Sequence, residues 1–255
     1  MSEDVAIRVR GLTSRFGEQV VHDHLDLDVR RGEILGVVGP SGAGKSVLLR
    51  EIVGLDPPAE GEVEFVRVGD REPRIGVMFQ DGALFSNLTL LENVEVPLKE
   101  HTRLPGQLRE EVAAIKLVMA GLHPDSHHKR PSQISGGMRK RAAVARALAL
   151  DPELLFLDEP TAGLDPISAE QFDRLVRELA QALGLTVFLV THDLDTLHAI
   201  CDRVAVLYDK KIAAVGTIPE ITETATGWVK DYFSGPRGRA AIRGKSAGRR
   251  RPAGG

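Results

Sequence analysis

A chain of 255 residues, 42% hydrophobic and 27% charged, is long enough to bury a sizeable core and has the balance of an ordinary soluble protein, which excludes the fibrous and disordered classes. No window holds 18 uninterrupted apolar residues, MSEDVAIRVR lacks the basic start and apolar stretch of a signal peptide, and the single Cys201 cannot form an internal disulfide. The expectation is a cytoplasmic chain that does not itself span a membrane, in a reducing compartment, with Cys201 an inert buried thiol. A net charge of −3 conceals a basic C-terminal end: from Gly235 to Gly255 lie seven of the 33 basic residues and none of the 36 acidic ones.

Residues 5 to 29 alternate in strand fashion, with Val5, Ile7 and Val9 on one face and Leu25, Leu27 and Val29 on another. Between them Phe16 and Gly17 carry turn chemistry, and Phe16 taken alone reads as core. EILGVV is the apolar run of a buried parallel strand, and VLLREIVGL reads as a helix closed at Gly54. The turn between them is GPSGAGKS, that is Gly39, Pro40, Ser41, Gly42, Ala43, Gly44, Lys45 and Ser46, followed by Val47. Gly39 and Gly44 let the backbone curl until successive N–H groups face one centre, at which the next helix aims its positive end. Lys45 is placed to reach the β and γ phosphates of a nucleotide, and the Ser46 hydroxyl to ligate Mg²⁺.

EVEFV gives a further half-exposed strand. IGVMFQ, residues 75 to 80, is an apolar strand ending in Gln80, a polar group at the carboxyl end where ligand crevices lie. From Asp81 to Leu150 the pattern turns helical. Leu108, Val112, Ile115, Met119 and Leu122 recur at steps of three and four and predict an amphipathic helix with this stripe in the core. His123, His127 and His128 sit in a proline-bounded loop without a cysteine, a context that argues against a metal site. ISGGMRKRAAVARALAL, residues 134 to 150, predicts an alanine-rich helix capped by Ser135, with Gly136 and Gly137 letting an anion approach its first N–H groups.

LLFLDE, residues 154 to 159, delivers two carboxylates at the end of a buried strand, where they are costly unless they hold a cation or handle a proton. Strand alternation sends the two to opposite sides. Asp158 is assigned to Mg²⁺ and Glu159 to the base that orients or deprotonates an attacking water. TVFLVTH, residues 186 to 192, ends in His192, read as a γ-phosphate contact. VAVLYDKKIAAVG predicts a hairpin across Asp209 to Lys211, and ITETATGWVKDYF a short closing helix packed through Trp228 and Phe233. The tail from Gly235, rich in Gly, Ala and Pro, suits a mobile segment that solubilises, meets an anionic membrane surface or grips a partner, and it lacks the aromatic readers of a nucleic-acid arm.

The phosphate loop, Gln80, ISGGM, LLFLDE, AGLD and TH, in this order, resemble the ATP-binding subunits of ABC transporters from Val5 to about Phe233. The resemblance implies a P-loop NTPase of α/β class: a parallel sheet core, an antiparallel β subdomain, and a helical subdomain at roughly 85 to 150, all within residues 1 to 234. It makes Phe16 the aromatic that stacks on adenine, and Gln80 the residue that senses Mg²⁺ and couples to the membrane subunit. Ser135, Gly136 and Gly137 become the signature that caps ATP held by the opposite protomer of a homodimer, Asp165 a cross-dimer contact and His192 the switch histidine. FQDGALFSNLTLLENVEVPLKEHTRLP and SGGMRKRAAVARAL are similar to stretches of the ATPases of Mla or Mce-type phospholipid transporters. Those work with a permease and an MCE-domain lipid-binding protein at the cytoplasmic face of the inner membrane. Val47 stands where a second hydroxyl often follows Ser46, so nucleotide affinity is expected to fall, within about 1.5 kcal/mol for one neutral hydrogen bond. Another solute is an alternative cargo. A soluble ATPase acting on nucleic acid is disfavoured, because the chain has one cassette and no coiled-coil insertion.

Overall fold

The computed structural model describes residues 4–67, 69–80, 82–224 and 226–234; the basic stretch 235–255 lies outside the described residues. The first two alternating segments are long strands, β1 (Val5–Phe16) and β2 (Gln19–Arg30), joined across Gly17. After them come β3 (Ile34–Val38), α1 (Lys45–Ile52), β4 (Glu60–Phe65) and β5 (Ile75–Met78). The helical stretch resolves into α2 (Leu90–His101), α3 (Gly106–Met119) and α4 (Gly136–Ala147). The chain continues as β6 (Leu154–Asp158), α5 (Pro166–Leu183), β7 (Thr186–Val190), α6 (Leu194–Ile200), β8 (Arg203–Tyr208), β9 (Lys211–Gly216), α7 (Ile218–Thr224) and α8 (Gly227–Ser234).

Two sheets form. β2, β1 and β4 pair antiparallel in that order, and the larger sheet runs β5-β6-β7-β3-β8-β9, parallel except for the last strand. Every residue of β3, β6 and β7 is buried, as strands covered on both faces require. One core cluster joins Ile7, Val9, Leu12, Leu25 and Leu27 of the small sheet to Leu48 and Leu49 of α1 and to Phe156 and Phe188 of the large sheet. On the opposite face α4 and α5 pack through Val144, Leu148, Phe172 and Val176. These layers pin the carboxyl ends of β3, β6 and β7 side by side, and each ends in a segment of chemical interest. The architecture is the expected one: a parallel core, an antiparallel sheet, and α2 and α3 with one face of α4 in a cluster of their own. Among the described residues no helix is long and apolar enough to cross a membrane.

Local expectations are corrected in four places. The buried face of α3 is Ala113, Lys116 and Leu117, followed by Ala120, while Leu108 and Ile115 are 42% and 57% exposed. Alanines let α3 approach its neighbours closely, so Leu108 and Ile115 of the predicted stripe are left outside while Val112, Met119 and Leu122 stay packed against the core, and Lys116 reaches Asp151 as an ion pair. β5 stops at Met78, which puts Gln80 in the following turn, exposed, and not on a strand. ITETATGWVKDYF divides between α7 and α8 instead of forming one helix. Cys201 is half-buried against Gly36 of β3, not fully enclosed. The β8–β9 hairpin turns at Asp209 and Lys210, both at positive φ, as predicted for that position.

Candidate active site

Between β3 and α1 the loop 39–44 curls over the N-terminus of the helix. Its positive φ values are at Gly42 (79°) and Gly44 (94°). Gly39 serves differently from the expectation: a Cβ there would stand 2.2 Å from the Leu207 carbonyl oxygen, so it is small for packing and not for a left-handed turn. The Lys45 ammonium folds back and donates to the carbonyls of Gly39 (2.9 Å) and Pro40 (3.0 Å). Burial holds its pKa below the ordinary lysine value, offset by the nearby carboxylates of Glu159 and Asp158.

Ser46 and Asp158, each assigned to Mg²⁺ from the sequence, lie together, the hydroxyl donating to the carboxylate at 3.0 Å. Burial holds the Asp158 carboxyl above its usual value, against the pull of the Ser46 bond, and the charge of Glu159 adds to the rise. A buried carboxylate beside a hydroxyl is an oxygen donor set that fits Mg²⁺, which would favour the ionised form that burial opposes. Glu159 is no longer in the strand: its φ is 46° and its N–H donates to the Val190 carbonyl at 2.8 Å. Strand alternation therefore does not separate the two acids, because β6 ends at Asp158. A left-handed turn, not alternation, carries Glu159 away to His192, whose Nδ1 lies 2.9 Å from Oε1 and 2.8 Å from Oε2.

Phe16, at the end of β1, is 52% exposed, which removes the core reading and leaves an aromatic face open to a ligand. Ser135 caps α4, its Oγ accepting from the Met138 N–H at 3.2 Å. A Cβ at Gly136 or Gly137 would come no nearer than 3.7 Å to another part of the chain, so internal packing does not explain these glycines. Asp165 is the N-cap of α5, its Oδ1 accepting from the N–H groups of Ile167 (3.1 Å) and Ser168 (3.0 Å). Two groups escaped the sequence reading. Buried Lys140 donates to the carbonyls of Gln80 and Glu159, tying α4 to both segments, and the Tyr232 hydroxyl of α8 donates to the His192 carbonyl at 3.2 Å. A lysine one turn into a helix and a tyrosine near the chain end carry no motif that would have singled them out. A cavity of about 560 Å³ lies at the other end of the sheet, where Arg177 and Arg203 are paired with Asp202 and Glu33 and no site residue takes part.

The sequence profile described as ABC transporter matches residues 22–162, more than half of the chain. The chain belongs to the ABC transporter family. ABC ATPases bind and hydrolyse ATP, and this is the chemistry of the chain. It is 39% identical over 239 residues to the intermembrane phospholipid transport system ATP-binding protein MlaF of Haemophilus influenzae, covering 90% of each. The MlaF protein of Escherichia coli K12 is 37% identical over 247 residues, 92% of this chain and 91% of its own length. The probable ribonucleotide transport ATP-binding protein mkl of Mycobacterium leprae is 35% identical, with 93% and 71% covered. Among solved ABC cassettes, dimeric MJ0796 bound to ADP and Pi superposes with a TM-score of 0.74 at 33% identity, covering 83% of this chain and 98% of that one. CbiO1 from Clostridium perfringens, part of the transporter complex cbiONQ, gives 0.76 at 26% identity, with 95% and 100% covered.

Proposed function

We propose that this ABC ATPase powers a membrane transporter that moves phospholipid or a related lipid. The observation that carries the reading is the 39% identity to MlaF over 90% of both chains. In this reading two copies meet head to tail and enclose two ATP molecules. The loop from Gly39 to Val47 wraps the phosphates of one ATP, Lys45 exchanges its loop carbonyls for phosphate oxygens, and Phe16 stacks on the adenine. Ser135, Gly136, Gly137 and Asp165 of the second copy close the site. Mg²⁺, held by Ser46, Asp158 and Gln80, would neutralise charge on the phosphate oxygens. Glu159 orients or deprotonates the attacking water. His192 contacts the γ phosphate and holds the Glu159 carboxylate in place through Nδ1. Catalysis is by positioning and charge stabilisation.

The partners proposed are an integral membrane permease and an MCE-domain lipid-binding protein, with the chain peripheral on the cytoplasmic face of the inner membrane. The likeness to mkl favours a second reading, a transporter of another solute. Capture of the tagged chain from a detergent extract of its own membranes separates them. A co-purifying permease with an MCE-domain protein and bound phospholipid is the expected result. A permease with neither supports the second reading, and nucleic acid alone overturns both.

A further inference from the structure

Beneath the phosphate loop runs a polar chain that the ATPase reading does not use. Ser14 of β1 and His22 of β2 are fully buried and Glu51 of α1 is 5% exposed. The Ser14 hydroxyl donates to Glu51 Oε2 at 2.5 Å and stands 2.6 Å from His22 Nδ1, whereas Nδ1 and Oε2 are 3.6 Å apart. Serine, not histidine, is thus the middle member, and none of the three is reachable by a substrate, so this is no hydrolytic relay. Burial pushes His22 down to about 4, offset by the backbone of Gly44, and raises the Glu51 carboxyl. The ring is neutral at pH 7, with Nε2 buried and without a formal hydrogen-bond partner. That edge faces the loop: a Cβ on Gly44 would lie 2.6 Å from Nε2 and 2.4 Å from Val21 Cγ1.

Three buried polar side chains cost stability that an apolar trio would not. Their placement suggests what the cost serves. Ser14 is two residues before Phe16, Gly44 immediately precedes Lys45, and Glu51 is on the helix that begins there. We infer that His22, clamped by Ser14 and Glu51, is a positioning residue for ATP: its ring edge holds Gly44 and sets the register between the Phe16 platform and the phosphate loop. The inference rests on residues 39–46 being the phosphate cradle.

The test is steady-state ATP hydrolysis by the full chain, with thermal midpoints alongside. His22→Ala is expected to raise KM about tenfold with little change in kcat, as loss of the ring edge that holds Gly44 would. His22→Gln, whose amide reaches the place of Nε2, is expected to restore KM to within about threefold of the unaltered chain. The triple variant Ser14→Ala/His22→Leu/Glu51→Leu keeps the packing and is expected to melt no lower, yet to show the raised KM. A folded triple variant with an unchanged KM overturns the inference, as does a glutamine variant no better than alanine. Lys45→Ala separates the two readings. If it binds ATP normally, the phosphate cradle itself is wrong; if it loses ATP while His22→Ala keeps an unchanged KM, only the role of His22 falls.

Discussion

Glu159 is held in a backbone conformation that side chains other than glycine rarely adopt, at a cost of about 1–3 kcal/mol. The return on that strain is geometric. Asp158 stays buried beside Ser46, while Glu159 turns out of the strand to meet His192, so two adjacent carboxylates meet two different partners. Glutamine at 159 keeps the shape, the turn and a partner for Nδ1 but cannot take a proton. Glu159→Gln is therefore expected to bind ATP within about twofold of the unaltered chain and to lose at least about 100-fold in kcat, the reach of general base catalysis. Turnover by that variant at a near-normal rate would remove Glu159 from the role of base. The sequence made both acids visible, because two carboxylates closing an apolar run are rare. It hid the means of their separation, because alternation presumes a strand that continues, and this one ends at Asp158.

At the scale of elements, legibility followed burial on both sides. β3, β6 and β7 are enclosed by helices and by the small sheet, so continuous apolar runs announced them. The α3 stripe was legible in part: Val112, Met119 and Leu122 pack on the core, but the contact face is built from Ala113 and Ala120 around Leu117, and small residues in a close contact look less apolar than the larger Leu108 and Ile115 left outside. The contact between α5 and α6 contains another feature without a sequence signal. Asp173 is 5% exposed, accepts a hydrogen bond from the Thr196 hydroxyl at 2.8 Å, and keeps its Oδ1 buried without a partner. Burial pushes its carboxyl from 3.8 up to about 7, with the charges of Asp193, Asp195 and Glu170 adding to the rise. An acid whose pKa is higher folded than unfolded favours the fold when protonated, so this contribution is fully present below 3.8 and is lost as pH rises through about 7. Asp173→Asn keeps the acceptor for Thr196 and removes the charge. Its gain in thermal midpoint over the unaltered chain should be absent near pH 4 and grow towards pH 7.5, reflecting a few kcal/mol at most. A difference independent of pH would mean that Asp173 does not titrate in this range.

For the whole molecule, the decisive feature is that the chain carries two glycine-lined helix starts, at α1 and α4, that are not in contact through their glycines. A Cβ on Gly136 would meet Leu164, which precedes Asp165, and one on Gly137 would meet Ser168, whose hydroxyl donates to Asp165; within 4 Å neither would touch the loop 39–46. The start of α4, with its two open glycines, leaves room for an anion from outside the chain, and in the proposed head-to-tail pairing that anion is ATP on the loop of a second copy. Pairing of this kind has a signature that a site built within one chain cannot imitate. Lys45→Ala spoils the loop and leaves the α4 start intact. Gly137→Asp leaves the loop intact and sets a negative charge where the γ phosphate would arrive, in a position with room for the side chain. Each variant alone should be inactive. Mixed in equal amounts and allowed to exchange, half the dimers are hybrids, and in each hybrid one site joins an intact loop to an intact α4 start while the other joins the two damaged ones. Activity should then recover to about a quarter of the unaltered level. If both halves of a site came from one chain, mixing would restore nothing, because neither variant contributes a complete set.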